Sequence, residues 1–308
     1  MRVVVLRALG LGDLLTAVPA LRAVRRACPG AHVSLAAPDA LRDLALHTGA
    51  VDEVVDTAPL TPLDARLSGA DLAVNLHGRG PQSTALLAAT SPSRLLAYDL
   101  PDGPRWTAQE HEVVRWCRLL EHGGITADPG DLLLPVPRGE PAARGAVLVH
   151  PGAAQGSRRW PPQRWAQVAA ALAADGHDVR VTGGPGELDL AGRVASGAGL
   201  GPQAVLAGRT DLLGLSALVA SARLLVGPDT GVAHLATAFG TPSVVLFGPT
   251  SPALWGPPPA RPQHRVLWAG RTGDNFADRP DPGLLDLAPA VVLAAALEVA
   301  ASGSARRP

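Results

Sequence analysis

Val3-Val4-Val5-Leu6-Arg7-Ala8-Leu9-Gly10-Leu11-Gly12-Asp13 is the stretch on which the fold turns. Val3 to Leu6 is a short β-branched run, and Gly10 and Gly12 make a turn. Leu14, Val18, Leu21 and Val24 then recur at helical spacing until Cys28, Pro29 and Gly30 stop the helix. A strand, a glycine turn and an amphipathic helix open a βαβ unit of an α/β protein with a parallel sheet. Outward from there, strand-like runs follow at 32–36, 51–55, 72–76 and more weakly at 95–98. After a Pro-, Gly- and Asp-rich linker at 123–145 a second series begins, with strands expected at 146–149, 178–182, 204–206, 223–226 and 243–247. Helical stretches near 162–174, 187–196, 211–220 and 231–239 separate them. Leu284, Leu287, Val291, Ala294 and Leu297 form a final amphipathic helix, and 302–308 reads as a frayed tail.

The 308 residues are about twice the usual domain length, which favours two domains. Hydrophobic residues at 47% and charged residues at 18% exclude a disordered or collagen-like chain. Lys+Arg and Asp+Glu are 27 each, so no general electrostatic grip on nucleic acid or anionic lipid is expected. All 27 cations are arginine, a coding bias that rules out Schiff-base chemistry and lysine general bases. Cys28 and Cys117 make neither a disulfide framework nor a zinc site and suit a reducing cytoplasm. Arg7 and Asp13 break the opening apolar stretch, so no secretion signal is expected. Pro289 and Glu298 interrupt the longest apolar segment, so no membrane span is expected either. Residues up to 140 carry 13 Arg against 16 Asp+Glu, net −3, and the remainder 14 against 11, net +3, so the second half is the better host for an anionic ligand.

Four strand-to-helix turns carry candidate chemistry. In the first, Asp13 is either a first-turn carboxylate that steadies its helix or a general base. Gly10-x-Gly12 lacks the third glycine of a dinucleotide fingerprint, because Leu15 stands there. In the second, His150-Pro151-Gly152 leads through Ser157 to Arg158-Arg159-Trp160-Pro161. Small residues there admit a ligand to the backbone, and the Arg pair offers forked donors to phosphate, or is simply a solvated pair beside a core Trp. The third, Gly183-Gly184-Pro185-Gly186-Glu187, places a carboxylate that suits ribose hydroxyls or a helix first turn equally. The fourth is Asp229-Thr230-Gly231 through His234. Val232, Leu235, Ala236 and Phe239 make the buried stripe, which leaves Thr230 and His234 on another face where helix N–H groups would meet a phosphate. Asp229 and Thr230 could also be plain caps, and His234 a satisfied half-buried histidine.

These motifs, with Gly12-Asp13 at the start and Gly240-Thr241-Pro242 and Leu246-Phe247-Gly248-Pro249-Thr250 after the fourth turn, resemble glycosyltransferase family 9, the ADP-heptose:lipopolysaccharide heptosyltransferases and their relatives. The resemblance implies two Rossmann-like domains facing across a cleft (GT-B type). It places an acceptor-binding domain at 1–140 and a nucleotide-sugar domain at 141–283, with the helix at about 284–301 returning to the first. It further implies an inverting sugar transfer, of heptose or a related sugar, from a nucleotide-diphosphate donor, ADP-linked by family habit, to a glycan, lipid-linked or metabolite hydroxyl. Asp13 would be the base and Arg158 the cation on the departing diphosphate, where family members commonly carry Lys. Gly12, Gly152, Ser157, Arg159, Glu187, Asp229, Thr230, Gly231 and His234 would bind substrate, with Arg159 second choice as the cation. The scheme calls for no metal, no cofactor and no nucleic acid, and leaves a peripheral membrane contact open. Ala153 and Ala154 replace the hydroxyl residues often found there. A nucleotide-sugar epimerase and a non-catalytic sugar-nucleotide binding module share the architecture and stay open.

Overall fold

A computed structural model describes residues 1–304, and they divide into two units, Met1–Pro135 and a second that begins at Val136, inside the expected linker. In the first unit the order is β1 (Arg2–Leu6), α1 (Leu11–Ala27), β2 (His32–Ala37), α2 (Arg42–His47), β3 (Glu53–Asp56), β4 (Leu72–Asn75), α3 (Gln82–Ala88), β5 (Leu95–Leu96) and α4 (Glu112–His122). In the second it is β6 (Val147–Val149), α5 (Pro162–Ala174), β7 (Val179–Val181), α6 (Leu188–Gly197), α7 (Leu212–Ser221), β8 (Leu224–Pro228), α8 (Gly231–Phe239), β9 (Ser243–Leu246), α9 (Pro252–Trp255), β10 (His264–Leu267), α10 (Pro282–Leu285) and α11 (Pro289–Ser304).

Both sheets are parallel. The first runs β3-β2-β1-β4-β5 and the second β10-β9-β8-β6-β7. Parallel strands are buried on both faces, which explains why Val3 to Val5, Val147 to Val149 and Leu224 to Val226 read as unbroken apolar runs. The strand expected at 204–206 is reduced to one bridge between Val181 and Val205, beside the edge strand β7. Strand order reverses between β1 and β4 in one unit and between β6 and β8 in the other. In open α/β sheets ligands bind outside the carboxyl ends of the strands at that switch point.

α11, over the stretch expected as the final helix, completes the second core. It packs on α5 and against β8, β9 and β10, and its Val292, Ala295, Ala296, Val299 and Ala300 join the cluster of Trp160, Trp165, Val226 and Leu246. Small alanine side chains let it lie close on the sheet, and Arg164 of α5 ties the approach by donating to the carbonyls of Leu285 and Leu287. The helix runs on through Ser304; the rest of the expected tail, 305–308, lies outside the described residues. Among the described residues no helix is long and apolar enough to cross a membrane.

Candidate functional site

At the switch point of the first unit, β1 ends on Leu6, paired with Asn75 of β4. Arg7 and Asp13 follow on one side, and Leu76 and His77 on the other. Asp13 sits in the first turn of α1, where its Oδ2 accepts the Gly10 N–H at 3.2 Å and its Oδ1 accepts from Arg7 Nη2 at 3.2 Å. The carboxylate is therefore the helix-steadying group that the sequence allowed, yet its side chain stays 27% exposed, open to an incoming group. Gly12 lies beside it in the same turn.

Arg7 is buried and was missed as a functional residue. It donates to the Asp13 carbonyl (3.0 Å), Thr16 Oγ1 (3.3 Å), Glu112 Oε1 (2.9 Å) and the Leu76 carbonyl, and its guanidinium lies 4.8 Å from the Trp116 ring centre. Glu112, the first residue of α4, is buried too and also takes bonds from Arg115 and, at 2.9 Å, from Trp116 Nε1. A lone arginine at the end of an apolar strand was the available signal, since a buried cation demands a carboxylate.

His77 was missed as well. Its backbone N–H is held by Asn75 Oδ1 at 3.0 Å, and its Nδ1 is buried without a hydrogen-bond partner. Burial, aided by the Arg7 charge and opposed by Asp13, pushes its imidazole below the ordinary histidine range.

At the switch point of the second unit, β6 leads to His150 and Gly152, and β8 to Asp229, Thr230 and Gly231. The tight turn Gly156–Arg158 aims Arg158 at the start of α8: its Nη1 donates to the Asp229 carbonyl at 3.2 Å, while its Nε is buried without a partner. Arg159 instead binds the Ala153 and Ala154 carbonyls at 2.8 and 3.3 Å and lines a pocket of about 480 Å³ with Trp160, Glu187 and Arg193. The two arginines are thus separated in task, and Arg158 alone faces the α8 turn.

Thr230 stands at the N-cap position of α8 with no side-chain cap bond and Gly231 begins the helix; the Ala233 N–H returns to the Thr230 carbonyl at 3.0 Å, which leaves Gly231 and Val232 to offer backbone N–H groups at the end beside Arg158. Asp229 is 6% exposed, and burial raises its carboxyl to about 6 against the pull of Arg158. His234, half-buried on α8, stands edge-on to Trp255 with ring centres 6.0 Å apart. Gly240 ends the helix at φ 65°, the left-handed conformation that favours glycine.

Glu187 Oε2 accepts the Gly184 N–H at 2.8 Å, and a Cβ on Gly152 would sit 1.9 Å from Glu187 Oε1. Gly152 is therefore required for the carboxylate to lie against the β6 turn. His150 is buried, with Nδ1 3.0 Å from Thr182 Oγ1, and burial lowers its imidazole while the Glu187 charge opposes the shift.

Ser157, expected to bind substrate, lies in the same turn. It is fully buried, its hydroxyl donates to the Asn275 carbonyl at 2.8 Å, and its N–H donates to the Ala277 carbonyl at 2.8 Å. Its polar groups fasten the loop before α10 to the Arg158 turn.

Comparisons with known proteins bear on the family and the fold. Residues 105–279, more than half of the chain, match the model of "Glycosyltransferase family 9 (heptosyltransferase)". The chain is 37% identical over 156 residues to lipopolysaccharide heptosyltransferase 3 of Escherichia coli, covering 49% of this chain and 41% of that relative, so the match spans less than half of the relative's length. Among solved structures, a glycosyltransferase family 9 protein from Veillonella parvula superposes with a TM-score of 0.80 at 22% identity, over 98% of this chain and 97% of that one. The E. coli ADP-heptose lipopolysaccharide heptosyltransferase II superposes with a TM-score of 0.78 at 21% identity, over 99% and 100%.

Proposed function

The chain belongs to glycosyltransferase family 9 and has its two-domain GT-B fold, and from that premise we propose that it moves a heptose or related sugar from an ADP-linked donor to a hydroxyl acceptor, with inversion at the anomeric carbon. The donor binds the second unit and the acceptor the first. The observation that carries the reading is Arg158, held against the Asp229 carbonyl at the N-terminus of α8.

In the reaction the acceptor oxygen attacks the anomeric carbon as its proton passes to Asp13. The bond from that carbon to the phosphate oxygen breaks, and its electron pair leaves with the nucleotide diphosphate. A single displacement inverts the centre. Arg158 and the α8 N–H groups meet charge that grows on the departing oxygens, so they favour the transition state over the bound donor. Arg7 and the Gly10 N–H fix one direction on each Asp13 oxygen, which leaves the exposed lone pairs for the acceptor O–H. Glu187 is placed to accept ribose hydroxyls, and Thr230, Gly231 and His234 line the diphosphate and sugar path.

The test uses ADP-heptose as donor with Asp13→Asn. Expected is a loss of turnover of at least about 100-fold with donor affinity by calorimetry unchanged. Turnover within about threefold of the parent would exclude Asp13 as the base.

A further inference from the structure

We infer that Trp106 is the platform on which a pyranose ring of the acceptor stacks, and that Asp99 is the residue that positions it. This subsite rests on the transferase reading above, which assigns the acceptor to the first unit.

The segment from Tyr98 to His111 joins β5 to α4 along the carboxyl edge of the first sheet. Its far end reaches the switch point, because Glu112, the first residue of α4, binds Arg7, and Arg7 binds Asp13. Long connections are usually mobile, but this one is fastened along its length. Arg115, which is buried, donates to the carbonyls of Thr107, Ala108 and Glu110 at 3.0, 3.3 and 2.9 Å, and Arg118 donates to the Arg105 carbonyl at 3.1 Å. At the near end the Asp99 N–H returns to the Pro104 carbonyl at 3.0 Å, and a Cβ on Gly103 would fall 2.5 Å from the Ala97 carbonyl, so the turn closes tightly.

Asp99 stands at φ 55°, in the left-handed region that favours glycine and is held by non-glycine residues mostly where a site needs it. From there its Oδ2 accepts from Arg79 Nε at 2.6 Å and its Oδ1 accepts the Trp106 N–H at 3.1 Å, which ties the segment to the loop after β4. These two bonds hold the Asp99 carboxyl below the usual carboxylate range, so the clamp stays ionised at neutral pH.

Trp106 is what the clamp presents. The Arg115 guanidinium lies over one side of its ring, 4.1 Å from the centre, and Tyr98 and Trp116 meet it edge to face with ring centres 5.2 and 6.0 Å away. All three neighbours are buried, so water reaches the half-buried indole from the side away from them. Its Nε1–H is open to solvent and donates to no group among the described residues, whereas the Trp116 Nε1–H is bonded to Glu112 at 2.9 Å. A tryptophan that only closed the core would bury its ring and pair its N–H as Trp116 does. A fixed aromatic ring with one open side and a free donor fits the apolar C–H face of a sugar, with the N–H left for a hydroxyl, and its fixed position spares the cost of ordering it on binding. Trp116 lies between this platform and Arg7, whose guanidinium is 4.8 Å from the Trp116 ring centre, so a stacked sugar sits one side chain away from the cation that holds Asp13.

Two measurements test it, with a deacylated lipopolysaccharide core oligosaccharide as the probe. In the first, the full chain with isotope-labelled indole nitrogens is saturated with ADP and titrated with the oligosaccharide, the Trp106 Nε1–H resonance being the one missing from Trp106→Phe. A saturable shift of that resonance, larger than that of any other indole, is expected. In the second, steady-state transfer from ADP-heptose to the oligosaccharide is followed. Trp106→Ala should raise the oligosaccharide KM about tenfold or more, with kcat within about threefold and ADP-heptose affinity unchanged, and Trp106→Phe, which keeps the ring, should return KM to within about threefold of the parent. Asp99→Gly, which accepts the backbone conformation but removes the clamp, should raise the same KM about fivefold, and Asp99→Asn, which still accepts the Trp106 N–H, should recover most of it. A Trp106 resonance that stays put, oligosaccharide binding that does not saturate, or a Trp106→Ala loss that falls on kcat or on ADP-heptose affinity overturns the assignment. The resonance is read on the parent chain and decides the matter even where a variant fails to fold. ADP-heptose binding by calorimetry is measured in parallel: if it is absent the transferase reading fails, while the titration still decides the platform.

Discussion

Replacing Arg7 by methionine should cost the first unit about 3 kcal/mol. Arg7 is 1% exposed and serves two carboxylates, one of which, Glu112, has a side chain only 7% exposed. Methionine fills much of the aliphatic volume and keeps contact with Trp116, so the loss is electrostatic rather than a cavity. Breaking a buried ion pair by removing one partner typically costs about 3–5 kcal/mol. Here Arg115 and Trp116 Nε1 still satisfy Glu112, and Asp13 can turn to water, which places the cost at the low end of that range. Losing the donors to the Leu76 and Asp13 carbonyls adds to it. Native-state hydrogen exchange on peptides from α1 and α4 reads the stability of this unit alone. Arg7→Lys, which keeps the charge with fewer directed donors, should lose about half as much. The double variant Arg7→Met/Glu112→Gln should be less destabilised than the two single losses summed, by about 1–2 kcal/mol. A loss under about 1 kcal/mol for Arg7→Met, or strict additivity in the double variant, would refute the claim that one buried cation holds Asp13 and Glu112 together.

Other outcomes follow from the second unit. Arg158→Ala should lower both ADP-heptose affinity and turnover, by about 100-fold in kcat/KM, whereas Arg159→Ala, whose donors serve its own loop, should change it by less than about tenfold; steady-state kinetics on both variants would expose a reversed order. Gly152→Ala forces Glu187 aside and breaks its bond to the Gly184 N–H, so ADP affinity should fall about tenfold with stability changed by about 1 kcal/mol or less; unaltered affinity by calorimetry would remove Glu187 from the ribose site. The Asp229 carboxyl, raised by burial to about 6, holds its proton longer folded than unfolded. Its cost to stability is therefore absent below the unfolded value of 3.8, grows as pH rises, and is complete above about 6. Asp229→Asn should accordingly gain up to about 3 kcal/mol at pH 7.5 and nothing near pH 3.5 in urea titrations, and an equal gain at both pH values would contradict the burial argument.

The alternation of strands and helices was legible in the residues because it is written in local periodicity: β-branched runs, helical spacing of Leu and Val, and glycine at the turns. The four furnished turns were legible for the same reason, as was the family resemblance they carry. Sequence neighbours were enough to suggest that Asp13 heads a helix and that Gly152 and Asp229 lie at strand ends. What local pattern left undecided was which of two equal tasks a side chain performs. Ser157 and Arg158 are adjacent in the chain, yet one is sealed under the loop at 275–277 and the other faces α8.

The sequence by itself determined the α/β class, the division near 123–145, the turns that bear chemistry and the absence of lysine from any mechanism. Only the tertiary structure decided the order of strands, and with it the two switch points. It also decided that the strand expected at 204–206 shrinks to a bridge, that α11 closes the second core, and that Arg7 meets a carboxylate 105 residues away. The physical reason is that periodicity and turn chemistry act between near neighbours, whereas burial and ion pairing are settled by which distant segments exclude water from one another.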